Sequence, residues 1–132
     1  MGLSPVGCIW PLACELGEGP VWWRGALWFT DIKQMKIHRF DPDRAEGVSW
    51  QAPSEVGFLA PREDGNFIAG AKTGLYDFDP ASGAFTLIRT IEPDRPFNRL
   101  NDGVVDRDGR LWFGSMDDTE QKASGALYRL DR

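Results

Sequence analysis

Two polar patches flanked by glycines contain the residues of this sequence best suited to chemistry. Glu18 lies in segment 16–20, and Arg99 and Asn101 lie in segment 98–103. An ionised carboxylate between glycines, where the backbone allows close approach, suits a hard divalent cation. Arg99 offers a planar pair of donors for oxygen atoms, and Asn101 can both donate to and accept from a sugar hydroxyl. The patches predict a cation site and a polyol site. Alternatively, Glu18 and Asn101 are ordinary turn residues, and Arg99 is a surface arginine paired with Asp94 or Asp102.

The composition indicates one globular domain and excludes several classes of partner. The chain has 132 residues, of which 42% are hydrophobic, with six Trp and eight Phe, so it can form a core. Its formal net charge is −5 with no basic stripe, which argues against a nucleic-acid partner. No apolar run approaches the roughly 20 residues that span a bilayer. The N-terminus lacks the features of a signal peptide. We therefore expect a cytoplasmic protein with neither a nucleic-acid nor a membrane partner.

A repeat of short strands organises the chain. Segments 26–31, 66–71 and 110–115 resemble one another at separations of 40 and 44 residues, and each follows an Arg-Gly or Asp-Gly turn. This alignment places Trp28 and Trp112 at equivalent packing positions. A period of about 40 residues with several strands in each repeat is typical of a β-propeller blade. An antiparallel sandwich with accidental self-similarity is the less favoured alternative.

The predicted fold class is all-β, with about three four-stranded blades in one partial propeller domain over residues 1–132. Blade one is expected at about 17–52, blade two at about 56–91, and blade three at about 101–132 without its outer strand. A propeller closes with roughly 4–8 blades, so three leave an open ring. Either the chain is a piece of a longer one, which an ending within a blade favours, or it pairs with a second copy.

The predicted blades give a reason for the two polar patches to meet. The inner strands of different blades converge at the mouth of a propeller's central channel. Glu18 is expected just before the inner strand of blade one, and Asn101 and Asp102 just before that of blade three. We therefore expect Glu18 and Asn101 to contribute to one pocket, although 83 positions separate them in the sequence.

Segments 16–22 and 27–32 resemble the opening of the regucalcin/senescence-marker-protein/gluconolactonase family. Segment 98–103, continued through 114–116, resembles a later part of that family. The resemblance covers nearly the whole chain and implies a six-bladed β-propeller with one divalent metal cation, which hydrolyses sugar lactones. By matching position, Glu18 is a metal ligand, and Arg99 and Asn101 bind the substrate. The resemblance does not select among calcium, zinc, magnesium, manganese and iron.

The sequence departs from the family pattern in two respects. A family acidic residue aligns with Thr119, and the neighbouring Asp118 is a candidate to replace it. The remaining metal ligands, an Asn and an Asp, and the catalytic general base are expected beyond residue 132. The resemblance therefore implies the N-terminal half of an enzyme whose catalytic residues lie in C-terminal blades.

The leading functional hypothesis is the N-terminal half of a metal-dependent, gluconolactonase-like hydrolase that converts aldonolactones to aldonic acids. The alternative is a non-catalytic half-propeller, a binding or assembly module that closes its ring by self-dimerisation. A third hypothesis is a propeller of different chemistry, such as a strictosidine-synthase-like protein or a phosphotriesterase-like lactonase, because a fold does not fix a function.

Overall fold

The computed structural model describes residues 2–131, which form eleven strands and no helix. Residues 2–131 accordingly include no helix of the length and apolarity needed to cross a membrane. The first sheet, blade one, contains β1 (Gly17–Trp23), β2 (Ala26–Asp31), β3 (Lys36–Asp41) and β4 (Glu46–Gln51). Blade two contains β5 (Val56–Pro61), β6 (Phe67–Ala71), β7 (Gly74–Asp79) and β8 (Ala84–Thr90). Blade three contains β9 (Asn98–Val105), β10 (Leu111–Asp117) and β11 (Leu127–Leu130).

Each sheet is an antiparallel meander in which neighbours in sequence are neighbours in space. The hairpin between β1 and β2 closes through two residues, Arg24 and Gly25, whose φ angles are 48° and 77°. Positive φ at both central residues is what a type I′ hairpin turn requires, and its twist matches that of the strands. The equivalent hairpins of blades two and three use five-residue loops, 62–66 and 106–110.

Because of this difference in loop length, the alignment expected for the repeats is wrong by one residue. The strand register places Trp28 level with Ala69 and Phe113, and not with Trp112. In blades two and three, one further loop residue follows the turn glycine before the strand begins, and blade one lacks it. A slip of one residue exchanges the two faces of a strand. Trp28 is accordingly buried, whereas Trp112 is half-buried on the outward face of blade three.

Two hydrophobic cores fill the spaces between neighbouring sheets. Between blades one and two, the ring of Trp28 lies 4.5 Å from that of Phe67. Between blades two and three, the ring of Phe58 lies 5.8 Å from that of Phe113, next to the buried Leu100. The three sheets therefore stack face to face in chain order, with β1, β5 and β9 side by side.

The two outer faces of this stack differ in how they are covered. Trp10, from the segment before β1, packs on blade one with its ring 5.6 Å from that of His38 and 5.7 Å from that of Phe40. His38 is a buried strand residue, and burial lowers its pKa. On blade three, Val104 and Leu127 are 66% and 74% exposed. The outward face of blade three therefore presents apolar side chains to solvent.

Candidate functional site

The three inner strands carry irregularities at the same level, next to Glu18 in β1 and at Asn101 in β9. The strand pairing shifts at Gly19 in β1, at Gly57 in β5 and at Asn101 in β9, where one strand has an extra residue. Such β-bulges re-aim side chains and are frequent next to active sites. A β-carbon on Gly19 would lie 3.1 Å from the backbone oxygen of Gly57, and one on Gly57 would lie 2.5 Å from that of Asn101. The three bulges are therefore in direct backbone contact.

The expected placement of the site residues ahead of the strands is wrong. Glu18 lies inside β1, and Asn101 lies inside β9, which begins at Asn98 and not near 101. The pairing of both strands continues through the bulge with a shifted register, so the strands extend further toward this end of the molecule. Glu18 and Asn101 were expected to contribute to one pocket. The bulge of blade two connects their two bulges, but the open groove that Glu18 lines includes Asp102 from β9 and neither Arg99 nor Asn101.

Glu18 occupies a position that the other two blades use for packing. Glu18 pairs with Thr30, just as Val56 pairs with Ala71 and Leu100 pairs with Ser115. Val56 and Leu100 are buried aliphatic residues, whereas Glu18 is exposed and lines an open groove of about 670 Å³. A carboxylate in place of an aliphatic side chain contributes nothing to the core. Its position at the groove suits a ligand-binding role.

The groove runs along the inner strands of all three blades. Its walls include Pro20 from β1, Phe58 from β5, and Asp102 and Val104 from β9. Asp102 is the second carboxylate of the groove, and its Oδ1 atom accepts a hydrogen bond from the backbone N–H of Gly103 at 2.8 Å. The lining combines apolar walls with a few polar groups, which is the usual character of a small-molecule site.

The residues present fit a divalent cation only in part. Glu18 offers the oxygen donor that hard cations prefer, but a calcium ion takes roughly 6–8 oxygen ligands and a zinc ion usually four ligands. Within residues 2–131, no group of three or more His, Cys, Asp or Glu side chains is placed to hold a metal ion. The described part of the chain therefore supplies one candidate ligand, and a complete site needs further donors.

Arg99 and Asn101, the two predicted substrate-binding residues, are in direct contact. The Arg99 guanidinium donates to the Oδ1 atom of Asn101 at 3.0 Å, and its Nε donates to Asp118 at 2.6 Å. Arg99 is only 4% exposed, whereas Asn101 is exposed. Arg99 is therefore placed to act mainly by holding Asn101, and Asn101 is the member of the pair that reaches solvent.

Asp118 is paired from two sides. Its Oδ1 atom accepts hydrogen bonds from Arg99 and, at 2.8 Å, from the Nζ of Lys33. Burial alone would raise the pKa of the Asp118 carboxyl, but the hydrogen bonds from Lys33 and Arg99 outweigh it and hold this pKa below its ordinary value. Lys33 lies in the turn between β2 and β3, and nothing in the sequence pattern singled it out.

Thr119, at the position of the family acidic residue, faces its own loop. Its hydroxyl donates to Asp117 at 2.8 Å. The same Asp117 carboxylate accepts the backbone N–H groups of Gln121 and Lys122, at 3.1 and 2.9 Å. Thr119 therefore helps to fix the loop that carries Asp118, and Asp118 is the acid that contacts Arg99.

Glu92 is a further residue that the sequence did not reveal. It lies in the connection between blades two and three, with a φ of 50°, and its side chain is 7% exposed. Its carboxylate accepts hydrogen bonds from Asn98 at 2.8 Å and from Ser115 and Tyr128 at 2.7 Å. Burial raises the pKa of Glu92, but these hydrogen bonds bring it below its ordinary value. Glu92 thus ties the start of β9, where the Arg99–Asn101 patch begins, to β10 and β11.

Comparison with known proteins places this arrangement in a family. The family described as SMP-30/Gluconolactonase/LRE-like region matches residues 16–132. L-arabinolactonase from Azospirillum brasilense is 36% identical over 121 residues, which cover 88% of this chain and 40% of that protein. 6-Deoxy-6-sulfogluconolactonase from Pseudomonas putida is 32% identical over 126 residues, which cover 94% of this chain and 43% of that protein.

The solved structures agree with this relationship. The calcium-binding protein regucalcin from Agrobacterium tumefaciens superposes with a TM-score of 0.83 at 30% identity, over 87% of this chain and 40% of that one. The chain thus spans less than half the length of these relatives, and the predicted all-β propeller fold is confirmed. The match over residues 16–132 shows that the chain belongs to the SMP-30/gluconolactonase/LRE-like family of β-propeller proteins.

Proposed function

We propose that this chain supplies the first three blades of a sugar lactonase that depends on a divalent cation and hydrolyses aldonolactones to aldonic acids. The observation that carries the proposal is the placement of Glu18. Its carboxylate lines the groove at the register position where the other two blades bury Val56 and Leu100. Family relatives that are lactonases, at 32% and 36% identity, support the same class of reaction.

In the proposed reaction, water adds to the carbonyl carbon of the lactone, and the bond to the ring oxygen breaks to give the open-chain acid. A divalent cation held in part by Glu18 would polarise the carbonyl group and stabilise the negative charge that develops on its oxygen. The other cation ligands and the general base are assigned to parts of the protein outside residues 1–132.

The residues of this chain would bind and orient the sugar. Asn101 accepts a hydrogen bond from Arg99 through Oδ1, so its Nδ2 group is the donor that it offers to a substrate oxygen. The groove of about 670 Å³ is within the usual range for small-molecule sites, roughly 300–1,000 Å³. Pro20, which is exposed at the groove, supplies an apolar surface that suits the carbon face of a sugar ring. These residues contribute positioning, not proton transfer.

Chelation of the natural gene product tests the metal dependence. We expect hydrolysis of D-glucono-1,5-lactone and L-arabinono-1,4-lactone to fall to background after treatment with a chelator and to return when a divalent cation is added. The cation that restores the rate at the lowest concentration identifies the metal. Undiminished hydrolysis of both lactones by metal-free protein would contradict the proposal.

A second candidate function rests on the outward face of blade three. Val104 and Leu127 are exposed there, which suits a half-propeller that closes its ring with a second copy and has no catalytic role. Gel filtration with light scattering on residues 1–132 distinguishes the two candidates. A stable dimer that melts cooperatively would favour self-assembly, whereas a monomer or a poorly folded product would favour the lactonase.

A further inference from the structure

A chain of charged and polar contacts behind Asn101 crosses from blade one to blade three. Lys33, in the turn after β2, contacts Asp118, which lies 85 residues later in the loop after β10. The same Oδ1 atom of Asp118 accepts from the Nε of Arg99, and Arg99 in turn donates to Asn101. We name this set, Lys33–Asp118–Arg99–Asn101, the cross-blade relay.

Each contact of the relay restricts the next. The Arg99 side chain is 4% exposed, so its charge needs a compensating carboxylate, and Asp118 supplies one at 2.6 Å. A guanidinium is only a donor, so the amide of Asn101 must turn its oxygen toward Arg99. The NH₂ group of Asn101 is then the part of the amide offered outward. The relay thereby determines whether Asn101 presents a donor or an acceptor to a ligand.

The relay also connects the two predicted site patches. Gly17, next to Glu18, pairs with Asp31 at the end of β2, and Lys33 follows two residues later. Asn98, next to Arg99, pairs with Asp117 at the end of β10, and Asp118 follows directly. Lys33 and Asp118 therefore extend from the ends of β2 and β10 that lie beside the two patches. This ion pair therefore links blades one and three directly, although blade two lies between them in the stack.

We propose that Lys33 and Asp118 are positioning residues for the sugar contact made by Asn101. Asp118 holds the Arg99 guanidinium, Arg99 fixes the Asn101 amide as an outward donor, and Lys33 anchors Asp118 from blade one. The relay selects substrates that present an oxygen acceptor at this point, such as a lactone carbonyl or ring oxygen. The proposal rests on the proposed function in that it takes Asn101 as a substrate contact.

Nuclear magnetic resonance on the natural gene product, without a ligand, tests the relay. We expect Asp118→Ala to shift the side-chain NH₂ signals of Asn101 and to speed solvent exchange of the Arg99 Nε–H by about tenfold or more. Lys33→Met should produce the same changes at smaller amplitude. Lys33→Arg should keep the Asn101 signals and the Arg99 exchange rate of the unmodified protein. Asp108→Ala, which removes the exposed Asp108–Arg110 pair in a turn, is the matched control and should leave both signals unchanged. Unaltered Asn101 signals in Asp118→Ala would overturn the relay.

Steady-state kinetics on the natural gene product tests what the relay does. We expect Lys33→Met to raise KM for the lactone about 3–10-fold with kcat changed by less than about twofold, and Lys33→Arg to recover the original KM. A raised KM in Asn101→Ala together with an unchanged KM in Lys33→Met would overturn the positioning role. An unchanged KM in Asn101→Ala would instead contradict the proposed sugar contact, and the resonance experiment would still decide whether the relay exists.

Discussion

A β-carbon placed on Gly57 would lie 2.5 Å from the backbone carbonyl oxygens of both Leu100 and Asn101. The inner strands of blades two and three therefore approach so closely that a side chain has no room between them. The φ angle of Gly57 is not positive, so its backbone conformation does not itself require glycine. The close approach of the β9 backbone does require it. This contact sets where the bulge of β9, and with it Asn101, lies relative to blade two.

Gly57→Ala should separate these two strands and destabilise the chain. We expect a loss of about 1–3 kcal/mol in the free energy of unfolding, because a methyl group cannot fit against backbone oxygens that are held in sheets. Urea denaturation measures the change. Gly114→Ala is the control, since a β-carbon there would have its nearest neighbour at 3.8 Å, an ordinary contact. Equal stability of the two variants would contradict the packing described for the inner strands.

The buried carboxylate of Glu92 should make the chain sensitive to acid. Its pKa is below its ordinary value in the folded protein, so its stabilising contribution is complete above pH 4.5 and is lost as the pH falls through the lower folded pKa. Glu92→Gln should lower the free energy of unfolding at pH 7 by about 1–3 kcal/mol. It should also reduce the further loss as the pH falls below 4.5 through the lower folded pKa.

Chemical denaturation across this pH range checks the acid response. Glu63→Gln removes a carboxylate from an exposed hairpin loop and is the matched control. A Glu92→Gln variant with the same acid dependence as the unmodified chain would show that Glu92 does not hold the blade connection in its ionised form.

Trp10 should stabilise blade one by covering its outward face. Its ring lies 6.1 Å from that of Phe29 and contacts the rings of His38 and Phe40, and a β-carbon on Gly47 would lie within the space of the indole. We expect Trp10→Ala to lower the free energy of unfolding by about 1–3 kcal/mol and to weaken the near-ultraviolet circular dichroism. Trp22→Ala removes a tryptophan that is 61% exposed and should have a smaller effect. The opposite order would mean that the N-terminal segment does not pack on blade one in solution.

The strands were predictable from the sequence because their signals are local. The Arg24-Gly25 turn and the glycines at 65 and 109, all with positive φ, mark the inner hairpins, and apolar residues alternate in the strands between them. The register of the strands was harder to predict from the sequence. One additional loop residue before β6 and β10 makes Trp28 equivalent to Phe113 and not to Trp112.

The candidate site was predictable only in part, since its geometry depends on contacts distant in sequence. Local motifs identified Glu18, Arg99 and Asn101 as candidate site residues. They did not show that Glu18 occupies the same register position as Val56 and Leu100, because that requires the strand pairing of three sheets. The pair Lys33–Asp118 joins turns 85 residues apart, and neither turn carries a signal for the other. Glu92 lies in a connection without a repeat pattern, so its partners become visible only in the folded chain.

The most direct test of the account is the metal content and lactonase rate of a Glu18→Gln variant of the natural gene product. Glu15→Gln removes the same charge from an exposed residue three positions earlier and is the matched control. We predict that Glu18→Gln loses the bound divalent cation and that its kcat/KM for D-glucono-1,5-lactone falls by about 100-fold or more, while Glu15→Gln retains both. Full metal content and an unchanged rate in Glu18→Gln would contradict the assignment of this carboxylate to a catalytic cation.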